Sequence, residues 1–550
     1  MSNTHVEKRE KSSHSKLLRG ATILAAAGIV CKALGAVFRV PLTNLIGAEG
    51  MSYYGAVYPI YSLFLVLATA GLPVAISRMV SARTALGDHK NAFRVYKISF
   101  VLMLSIGFVS FAICFFGAGF ISEKMGNPGA KASLMAIAPA LLFAPIASSF
   151  RGYYQGRQNM IPTATSEIAE QLFRVIVGLS LSFFLVSKSV ELASAGATFG
   201  ATAGLIAAIV ILSIIFVLDR KKRETLIGRS HTDDESRKSI LKELLVVSIP
   251  ITIGSTIMPI MMSIDAVVIM NRLQATGWSY TESKTLYGLI SGYTDPLIGF
   301  PGVFIDAVSM SLLPAVTAAF TLRNKKELDK NIQAGIKTMM VVAIPCAIGL
   351  MVMASPILHL LYPSRPEEAD MATLNLQILA LSVITLSAMR TFSTSLQAIG
   401  KMMLPVYNLL IGAVVKFVIT YVLVGIPSLN INGAAIGSVT AYLVAGILNY
   451  YALKRHANVS IHLTTTFIKP LFSAGVMGVA TFLTYKGVML LIDKNSVATL
   501  FAIIIAVVVY AAMILATKTL NHDELLMLPA GKKIVRLTDK IERIFGRKNK

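Results

Sequence analysis

The stretch LASAGATFGATAGLIAAIVILSIIFVL at residues 192–218 contains no charged side chain. A transmembrane helix needs ~20 predominantly apolar residues to cross the ~30 Å hydrocarbon core of a bilayer, and this stretch exceeds that length. An uncharged run of this kind predicts a membrane-spanning helix. The rest of the chain repeats the pattern.

Thirteen further apolar runs are separated by polar connectors or by connectors that contain Gly and Pro. Each is long enough to span, so we predict an all-α polytopic membrane protein with about 14 transmembrane helices. The predicted spans 1 to 14 cover residues 17–46, 53–83, 95–122, 132–156, 162–187, 192–218, 243–272, 284–321, 333–361, 370–398, 404–425, 430–453, 467–491 and 497–518.

The composition excludes a water-soluble fold. Hydrophobic residues make up 55% of the 550 residues and charged residues only 14%, whereas soluble domains carry ~25% charged residues. A single soluble core stops growing near ~250–300 residues, and no change in composition divides this chain into polar-surfaced domains. The three cysteines lie in apolar runs without motif spacing, so neither disulfides nor a zinc site is predicted.

The positive charge follows the topology. The chain has 51 Lys and Arg against 28 Asp and Glu, a net charge of +23. The excess is concentrated in segments 1–19, 219–242 and 518–550, and the loops after even-numbered spans are more basic than those after odd-numbered spans. By the positive-inside rule both termini face the cytoplasm. This distribution argues against nucleic-acid binding.

The chain contains a weak internal repeat. GLPVAISRMVSARTALGDHKNAFRVYK at 71–97 resembles LLPAVTAAFTLRNKKELDKNIQAGIK at 312–337, with Pro73 matching Pro314 at an offset of 241. QGRQNMIPTATSEIAEQLFRVIV at 155–177 resembles QAIGKMMLPVYNLLIGAVVKFVI at 397–419 at an offset of 243. Two matches at nearly one offset indicate a duplicated six-helix unit. Because six is even, both copies insert with the same polarity, as in alternating-access transporters with parallel repeats.

The repeat gives a predicted domain organisation. Two six-helix bundles are joined by a basic linker and followed by two additional helices. The segments are 1–16 (cytoplasmic N-terminal tail), 17–218 (N-terminal bundle), 219–242 (basic cytoplasmic linker), 243–453 (C-terminal bundle), 454–518 (helices 13 and 14) and 519–550 (basic amphipathic C-terminal tail).

Cations inside the predicted spans are candidate substrate ligands, because an ionisable residue at the bilayer centre costs ~2.5–3.5 kcal/mol. Lys32 and Arg39 are seven residues apart and share one face of span 1. Arg174 and Lys416 are repeat mates at an offset of 242, on spans 5 and 11. We predict that these side chains line a cavity between the bundles. Arg272, at the outer end of span 7, is a further candidate.

Acids in the spans have three possible roles. Glu170 lies four residues before Arg174 and could neutralise it within the helix. Asp295 and Asp306 share a helix face, and Asp265 lies late in span 7. These carboxylates could pair with the cations, couple transport to Na⁺ or H⁺, or balance charge.

The motifs of enzymes are missing. All eight histidines fall in tails, in loops or at helix ends, and the sequence has neither HExxH nor a GxxxxGK[ST] loop. We therefore predict a protein that is not an enzyme and needs no cofactor or metal. A cationic cavity between two bundles suits an anion, and phosphate is the usual partner of clustered Arg and Lys. A diphosphate attached to a lipid fits such a cavity better than a soluble sugar phosphate does, if helices 13 and 14 add a lipid-facing groove.

Two stretches carry a family resemblance. KLLRGATILAAAGIVCKALGAVFRVPLTNLIG at 16–47 and FPGVFIDAVSMSLLPAV at 300–316, with the duplicated fourteen-helix plan, resemble the MurJ/SpoVB-type polysaccharide-export proteins. These belong to the multidrug/oligosaccharidyl-lipid/polysaccharide flippase superfamily. The resemblance implies a multi-pass protein of the bacterial cell membrane. It also implies flipping of lipid II, the undecaprenyl-diphosphate-linked peptidoglycan precursor, from the inner to the outer leaflet.

The resemblance also implies roles for particular residues. The cationic first-helix positions of the family correspond to Lys32 and Arg39, and helices 13 and 14 would form a groove for the lipid tail. The family's YxDxL stretch is residues 293–297, where Pro296 stands in place of an arginine of proteobacterial members. Arg272, Arg174 and Lys416 are the candidates to compensate for it.

Other functions stay open at this stage. The cargo could be lipid II for the vegetative wall, lipid II for the spore cortex, or another lipid-linked polysaccharide unit. A cation-coupled multidrug antiporter of the same fold is a second possibility, although the excess of buried cations argues against it. An intramembrane glycan polymerase would need a catalytic group on a large outer loop, and the predicted outer loops are short. A non-transporting scaffold would tolerate loss of Arg39 and Lys416.

Overall fold

A computed structural model describes residues 2–230, 232–460 and 462–520, with side chains from residue 20 onward except Ala21 and Ala25. Every regular element in these ranges is helical. Two π-helical segments, Leu289–Thr294 and Thr464–Ile468, interrupt the α-helices. The α-helices are α1 (Ser2–Thr69), α2 (Leu72–Ala85), α3 (His89–Phe116), α4 (Ala118–Lys124), α5 (Lys131–Gly156), α6 (Ile161–Leu185), α7 (Val190–Leu218), α8 (Arg220–Gly228), α9 (Arg237–Ala275), α10 (Tyr280–Gly288), α11 (Asp295–Thr321), α12 (Lys325–Val352), α13 (Ala354–Leu361), α14 (Pro366–Ala398), α15 (Met403–Val424), α16 (Asn432–Ala457), α17 (Lys469–Ile492) and α18 (Asn495–Ala516).

The predicted number of spans is confirmed. Thirteen helical stretches in the described ranges are long and apolar enough to cross a membrane, and the first of them, Thr22–Ala85, has 64 residues. A helix of that length measures ~96 Å, about three times the hydrocarbon thickness. It is broken at Gly47, whose backbone is not helical (φ 64°, ψ −172°), so it supplies two crossings. The amphipathic C-terminal tail predicted at 519–550 lies outside the described residues from position 521 onward.

The structure has a helix break at Gly71-Leu72-Pro73. Helix α1 ends at Thr69, and α2 begins at Leu72 with Pro73 in its first turn, where the missing N–H costs nothing. A Cβ atom on Gly71 would overlap the backbone carbonyl oxygen of Ser248 on α9. Glycine at this position therefore lets α9 approach the start of α2 closely.

The chain forms two compact units. Among the described residues, unit 1 covers 2–296 together with Val424–Ile431, and unit 2 covers Leu297–Leu423 together with 432–520. Within unit 1, α9 packs against α1 and α2, so predicted span 7 lies in the same compact body as spans 1 to 6. The division into bundles 17–218 and 243–453 concerns the internal repeat, and it stays a prediction.

Small residues hold α6 and α7 together in unit 1. Gly196, Gly200 and Gly204 follow one another at four-residue intervals on α7. A Cβ atom on Gly200 would lie 2.6 Å from the carbonyl oxygen of Arg174, and one on Gly204 would overlap the carbonyl oxygen of Glu170. Membrane helices use such small residues to bring their backbones into contact. The packing fixes α6 against α7 along the segment that carries Glu170 and Arg174.

Unit 2 has its own core and includes the two additional helices. Ile332, Ile336 and Met340 of α12 are buried in one apolar cluster with residues of α11 and α14. The hydroxyl group of Tyr510 on α18 donates a 2.7 Å hydrogen bond to the carbonyl oxygen of Val341 on α12. Helices α17 and α18, the predicted spans 13 and 14, pack against each other, and α17 also packs on α12.

The basic linker is folded, which its composition did not predict. Residues 220–228 form α8, and the residues after it are hydrogen-bonded to the start of α3. The hydroxyl group of Thr232 donates to Asp88 Oδ1 at 2.6 Å, and the Glu235 N–H donates to Asn91 Oδ1 at 3.0 Å. The guanidinium of Arg83 pairs with Glu235 at 2.6 Å and also with Glu243, which begins the approach to the membrane on α9.

Docking of this linker should fail in acid. Burial acts to raise the pKa of Asp88, but hydrogen bonds from Thr232 and Asn91 outweigh it and lower that pKa. Hydrogen bonds from Lys90 and Arg94 likewise lower the pKa of Asp234. Carboxylates with lowered folded-state pKa values stabilise the docked linker at every pH above the ordinary aspartate pKa of ~3.9, and this contribution is lost as the pH falls through the folded values.

The prediction can be checked with pepsin, which cleaves in acid. Cleavage within the linker should be slow at pH values above ~4 and accelerate below that pH. The Asp88→Asn/Asp234→Asn variant should be cleaved readily both above and below pH ~4. Equal protection of wild type across the whole range would contradict the role given to these two carboxylates.

Candidate substrate site

A ladder of tyrosines runs along α1 beyond the break at Gly47. Tyr54, Tyr58 and Tyr61 recur at helical spacing and therefore share one face. The ring centroids of Tyr54 and Tyr58 are 5.4 Å apart, and those of Tyr58 and Tyr61 are 5.7 Å apart. Tyr54 and Tyr61 are buried, whereas Tyr58 is half-buried.

Two of the predicted cations lie on this ladder. The guanidinium carbon of Arg39, on the first half of α1, is 5.8 Å from the ring centroid of Tyr54. The guanidinium carbon of Arg174, on α6, is 5.5 Å from that of Tyr58. These distances are within the range of cation–π contacts, which contribute ~0.5–2 kcal/mol each. We call Arg39, Tyr54, Tyr58, Tyr61 and Arg174 the arginine–tyrosine ladder.

Neither arginine of the ladder forms an ion pair with a carboxylate of the described residues. Within the described part of the chain, neither guanidinium has an Asp or Glu oxygen within 4 Å, and Nε of Arg39 is buried without a hydrogen-bond partner. Glu170, four residues before Arg174, is paired with Arg151 of α5 at 2.8 Å. A buried donor left unsatisfied costs ~1–3 kcal/mol, so an anion that accepts from these groups would bind favourably.

Two of the predicted acids approach the ladder from another side. Tyr287 of α10 is buried and donates a 3.1 Å hydrogen bond to the carbonyl oxygen of Gly55. Arg39, Asp265 and Asp295 all lie within electrostatic range of its hydroxyl group. The π-helical segment Leu289–Thr294, which is buried and packed on α1, leads directly into Asp295. The structure thus brings Asp265 and Asp295 into the neighbourhood of Arg39.

Lys32 lies two helical turns before Arg39 and is exposed on unit 1. Cβ atoms built on Gly28 and Gly35, which share its face of α1, would meet no atom within 4 Å. This face of the helix is therefore unpacked within the described residues of unit 1.

Arg272 packs on the backbone of a loop within unit 1. A Cβ atom on Gly425 would lie 2.6 Å from both Nε and Nη2 of Arg272, so a side chain at this position would have to displace the guanidinium. Segment 424–431 belongs to unit 1. Arg272 is half-buried, and its guanidinium contacts this segment.

The other two predicted site residues belong to unit 2. Asp306 of α11 pairs with Arg390 of α14 at 3.7 Å, with both side chains close to half exposed. Lys416 of α15 is only 4% exposed. The predicted site residues of unit 1 are Lys32, Arg39, Glu170, Arg174, Asp265, Arg272 and Asp295.

Sequence reasoning missed the tyrosines and Arg151. The 54, 58, 61 spacing of the tyrosines is visible in the sequence and is typical of a continuous helix face. Arg151 falls inside predicted span 4 but was not among the candidate site residues, and it lies on α5, where it pairs with Glu170. No group of three or more His, Cys, Asp or Glu residues that could hold a metal ion occurs among the described residues.

Comparison with known proteins decides the family. The sequence profile of the family described as "Polysaccharide biosynthesis protein" matches residues 17–320, more than half of the chain. The chain belongs to the polysaccharide biosynthesis protein family. A second profile, described as MatE, matches residues 291–422 of this polysaccharide biosynthesis family member.

Relatives of this family member occur in Bacillus subtilis strain 168. It is 30% identical over 439 residues to the uncharacterized membrane protein YabM, covering 80% of each chain. It is 28% identical to lipid II flippase MurJ, over 85% of this chain and 88% of MurJ. It is 27% identical to stage V sporulation protein B, over 94% of this chain and 99% of that protein.

Solved structures show the same fold. An inward-facing multidrug resistance MATE family transporter of the MOP superfamily matches with a TM-score of 0.67 at 16% identity, covering 78% of this chain and 94% of the other. Lipid II flippase MurJ in an inward closed conformation matches with a TM-score of 0.62 at 19% identity, and the match covers 89% of this chain and 98% of the MurJ chain. The polysaccharide biosynthesis family member thus has the all-helical, multi-pass membrane fold of these structures, as predicted.

Proposed function

We propose that this family member flips lipid II, the undecaprenyl-diphosphate-linked peptidoglycan precursor, from the inner to the outer leaflet by alternating access. The single observation that carries the proposal is the arginine–tyrosine ladder. Its two guanidinium groups have no carboxylate partner in the described residues, and three phenol groups lie beside them. Lys32, Lys416 and Arg272 are proposed to contribute further positive charge.

The ladder has the chemistry to bind a diphosphate. A guanidinium donates two parallel hydrogen bonds to the oxygens of one phosphoryl group. Arg39 and Arg174 lie on neighbouring tyrosines, and both are within electrostatic range of Tyr54, so we propose that each engages one phosphoryl group of the pair. A phenol hydroxyl can donate to a remaining oxygen.

The relatives support the choice of cargo. Lipid II flippase MurJ and stage V sporulation protein B both align over most of this chain. Lipid II for the vegetative wall or for the spore cortex fits the ladder equally, because the diphosphate is the same. Other lipid-linked polysaccharide units with a diphosphate share that chemistry.

The membrane potential favours transport in the proposed direction. With the cytoplasm negative, moving net negative charge outward gains ~2.3 kcal/mol per charge per 100 mV. The empty cationic site would return inward in the same field. Asp265 and Asp295, near Arg39, are proposed as the groups that could take Na⁺ or H⁺ during this return.

Flipping in proteoliposomes tests the proposal. Purified protein is reconstituted with fluorescent lipid II, and the fraction accessible to an external quencher is followed over time. We expect protein-dependent flipping that quickens when a potential is imposed to drive negative charge in the assayed direction. Absence of flipping, combined with saturable uptake of organic cations, would overturn the proposal in favour of a multidrug antiporter.

A further inference from the structure

A second basic site lies in unit 1, away from the ladder. An open cavity of about 900 Å³ is bounded by α3, by α8 and by the start of α9. We call it the basic pocket. Its charged lining consists of Lys90, Arg94 and Lys97 from α3, Arg237 and Lys238 from α9, and one acid, Asp234.

The cations of the basic pocket are only partly neutralised. Asp234 pairs with Lys90 at 2.9 Å and with Arg94 at 2.6 Å. In the described residues, Lys97, Arg237 and Lys238 have no carboxylate oxygen within 4 Å, and Lys97 lies 4.8 Å from the ring centroid of Phe93. The nearby linker acids Glu235 and Glu243 are held by Arg83. Five cations therefore face one acid.

The basic pocket continues into an apolar groove. Beside its charged rim it is lined by Ile98, Val101 and Leu102 of α3. A second cavity of about 630 Å³ follows α9 from Lys238 to Pro250 and shares Lys238 and Leu241 with the first. Its walls beyond the lysines are Leu241, Leu245, Val246, Ile249 and Pro250. Val246 is 64% exposed and Ile249 50%, so no protein side chain covers this groove within unit 1.

The length of the apolar groove matches one acyl chain. Leu241 and Pro250 are nine residues apart on α9, a rise of ~14 Å along the helix. One leaflet of the hydrocarbon core is ~15 Å thick. A polar site that binds one or more phosphates, followed by an apolar track one leaflet long, has the layout of a single phospholipid.

We propose that the basic pocket and the α9 groove together bind one anionic phospholipid of the leaflet facing the linker. Its phosphate lies among Lys97, Arg237 and Lys238, and an acyl chain runs along α9 toward Pro250. Basic pockets between transmembrane helices are suited to anionic headgroups. This site does not depend on the identity of the transported lipid, because it shares no residue with the arginine–tyrosine ladder.

Native mass spectrometry of the purified full chain can measure this binding. The probes are phosphatidylglycerol, phosphatidylcholine and glycerol phosphate, which carries the headgroup chemistry without acyl chains. We expect phosphatidylglycerol to bind at least tenfold more tightly than either of the other two. The proposal would be overturned if phosphatidylcholine, or glycerol phosphate, bound as tightly as phosphatidylglycerol.

Two sets of variants separate the headgroup from the tail. Lys97→Gln/Arg237→Gln/Lys238→Gln should abolish the preference for phosphatidylglycerol, whereas Lys325→Gln/Lys326→Gln/Lys330→Gln, which removes three exposed lysines from the start of α12, should leave it intact. Val246→Ser/Ile249→Ser should lower the affinity for phosphatidylglycerol without changing the affinity for glycerol phosphate. Unchanged phosphatidylglycerol affinity in the first variant, with an unaltered melting temperature, would show that the pocket is not the site.

Discussion

Replacing Arg39 and Arg174 together with glutamine is expected to lower the rate of lipid II flipping at least ~100-fold. A hydrogen bond to a charged group contributes ~1.5–3 kcal/mol, and every 1.4 kcal/mol corresponds to a factor of ten. Each single variant should lose about 10- to 100-fold by the same reasoning. The losses need not add, because the arginines lie on two neighbouring tyrosines, Tyr54 and Tyr58, and would engage the same diphosphate.

Lysine at either position should restore part of the activity, since an ammonium group supplies the charge without the bidentate geometry. Arg78→Gln is the matched control, because Arg78 is an exposed arginine on α2. It should flip lipid II at the wild-type rate. If the double variant kept more than a tenth of wild-type activity, the ladder would not be the diphosphate site.

Replacing Gly204 with valine is expected to be the most destabilising single change among those considered. A Cβ atom at this position would overlap the carbonyl oxygen of Glu170 on α6. Because backbone atoms cannot rotate away, α7 would have to separate from α6, and overpacking of this kind costs ~1–3 kcal/mol or more. The variant should melt well below wild type in detergent, as measured by fluorescence-detected size-exclusion chromatography after heating.

Gly475→Val on α17 is the control for this change. A Cβ atom on Gly475 would meet nothing within 4 Å, and the residue is exposed. Its variant should melt within a few degrees of wild type. A wild-type melting temperature for Gly204→Val would mean that α6 and α7 are not packed through their backbones, and the position of Arg174 would then lose its structural basis.

The spans could be predicted because the bilayer imposes a local requirement. The run at 192–218 became α7, Val190–Leu218. Length without charge is sufficient to identify a crossing, since lipid cannot satisfy a polar backbone or a charged side chain. The helix break at Gly71-Leu72-Pro73 falls inside predicted span 2, because hydropathy alone does not show where a proline or glycine interrupts a helix.

Pairing between helices could not be predicted in the same way. The spacing of Glu170 and Arg174 left a pair within one helix as an open alternative, and in the structure Glu170 is paired with Arg151 of α5. Arg174 instead contacts Tyr58, more than a hundred residues earlier. Such contacts depend on which helix faces pack together, and hydropathy carries no information about that.

The linker shows the same limit at the membrane surface. Its eight basic residues predicted a cytoplasmic segment but not a folded one. The acids among them determine the structure, because Asp234 and Glu235 pair with Lys90, Arg94 and Arg83 from the ends of α2 and α3. The net charge of the linker does not reveal these ion pairs, since it gives only the difference between the numbers of basic and acidic residues.

Equilibrium binding of undecaprenyl diphosphate and undecaprenol to the purified protein tests the central claim most directly. The two lipids share the same tail and differ in the diphosphate. The account predicts that the diphosphate lipid binds at least ~10-fold more tightly, a difference of ~1.4 kcal/mol, and that Arg39→Gln/Arg174→Gln removes this preference. A preference that survives in the double variant, with folding intact, would contradict it.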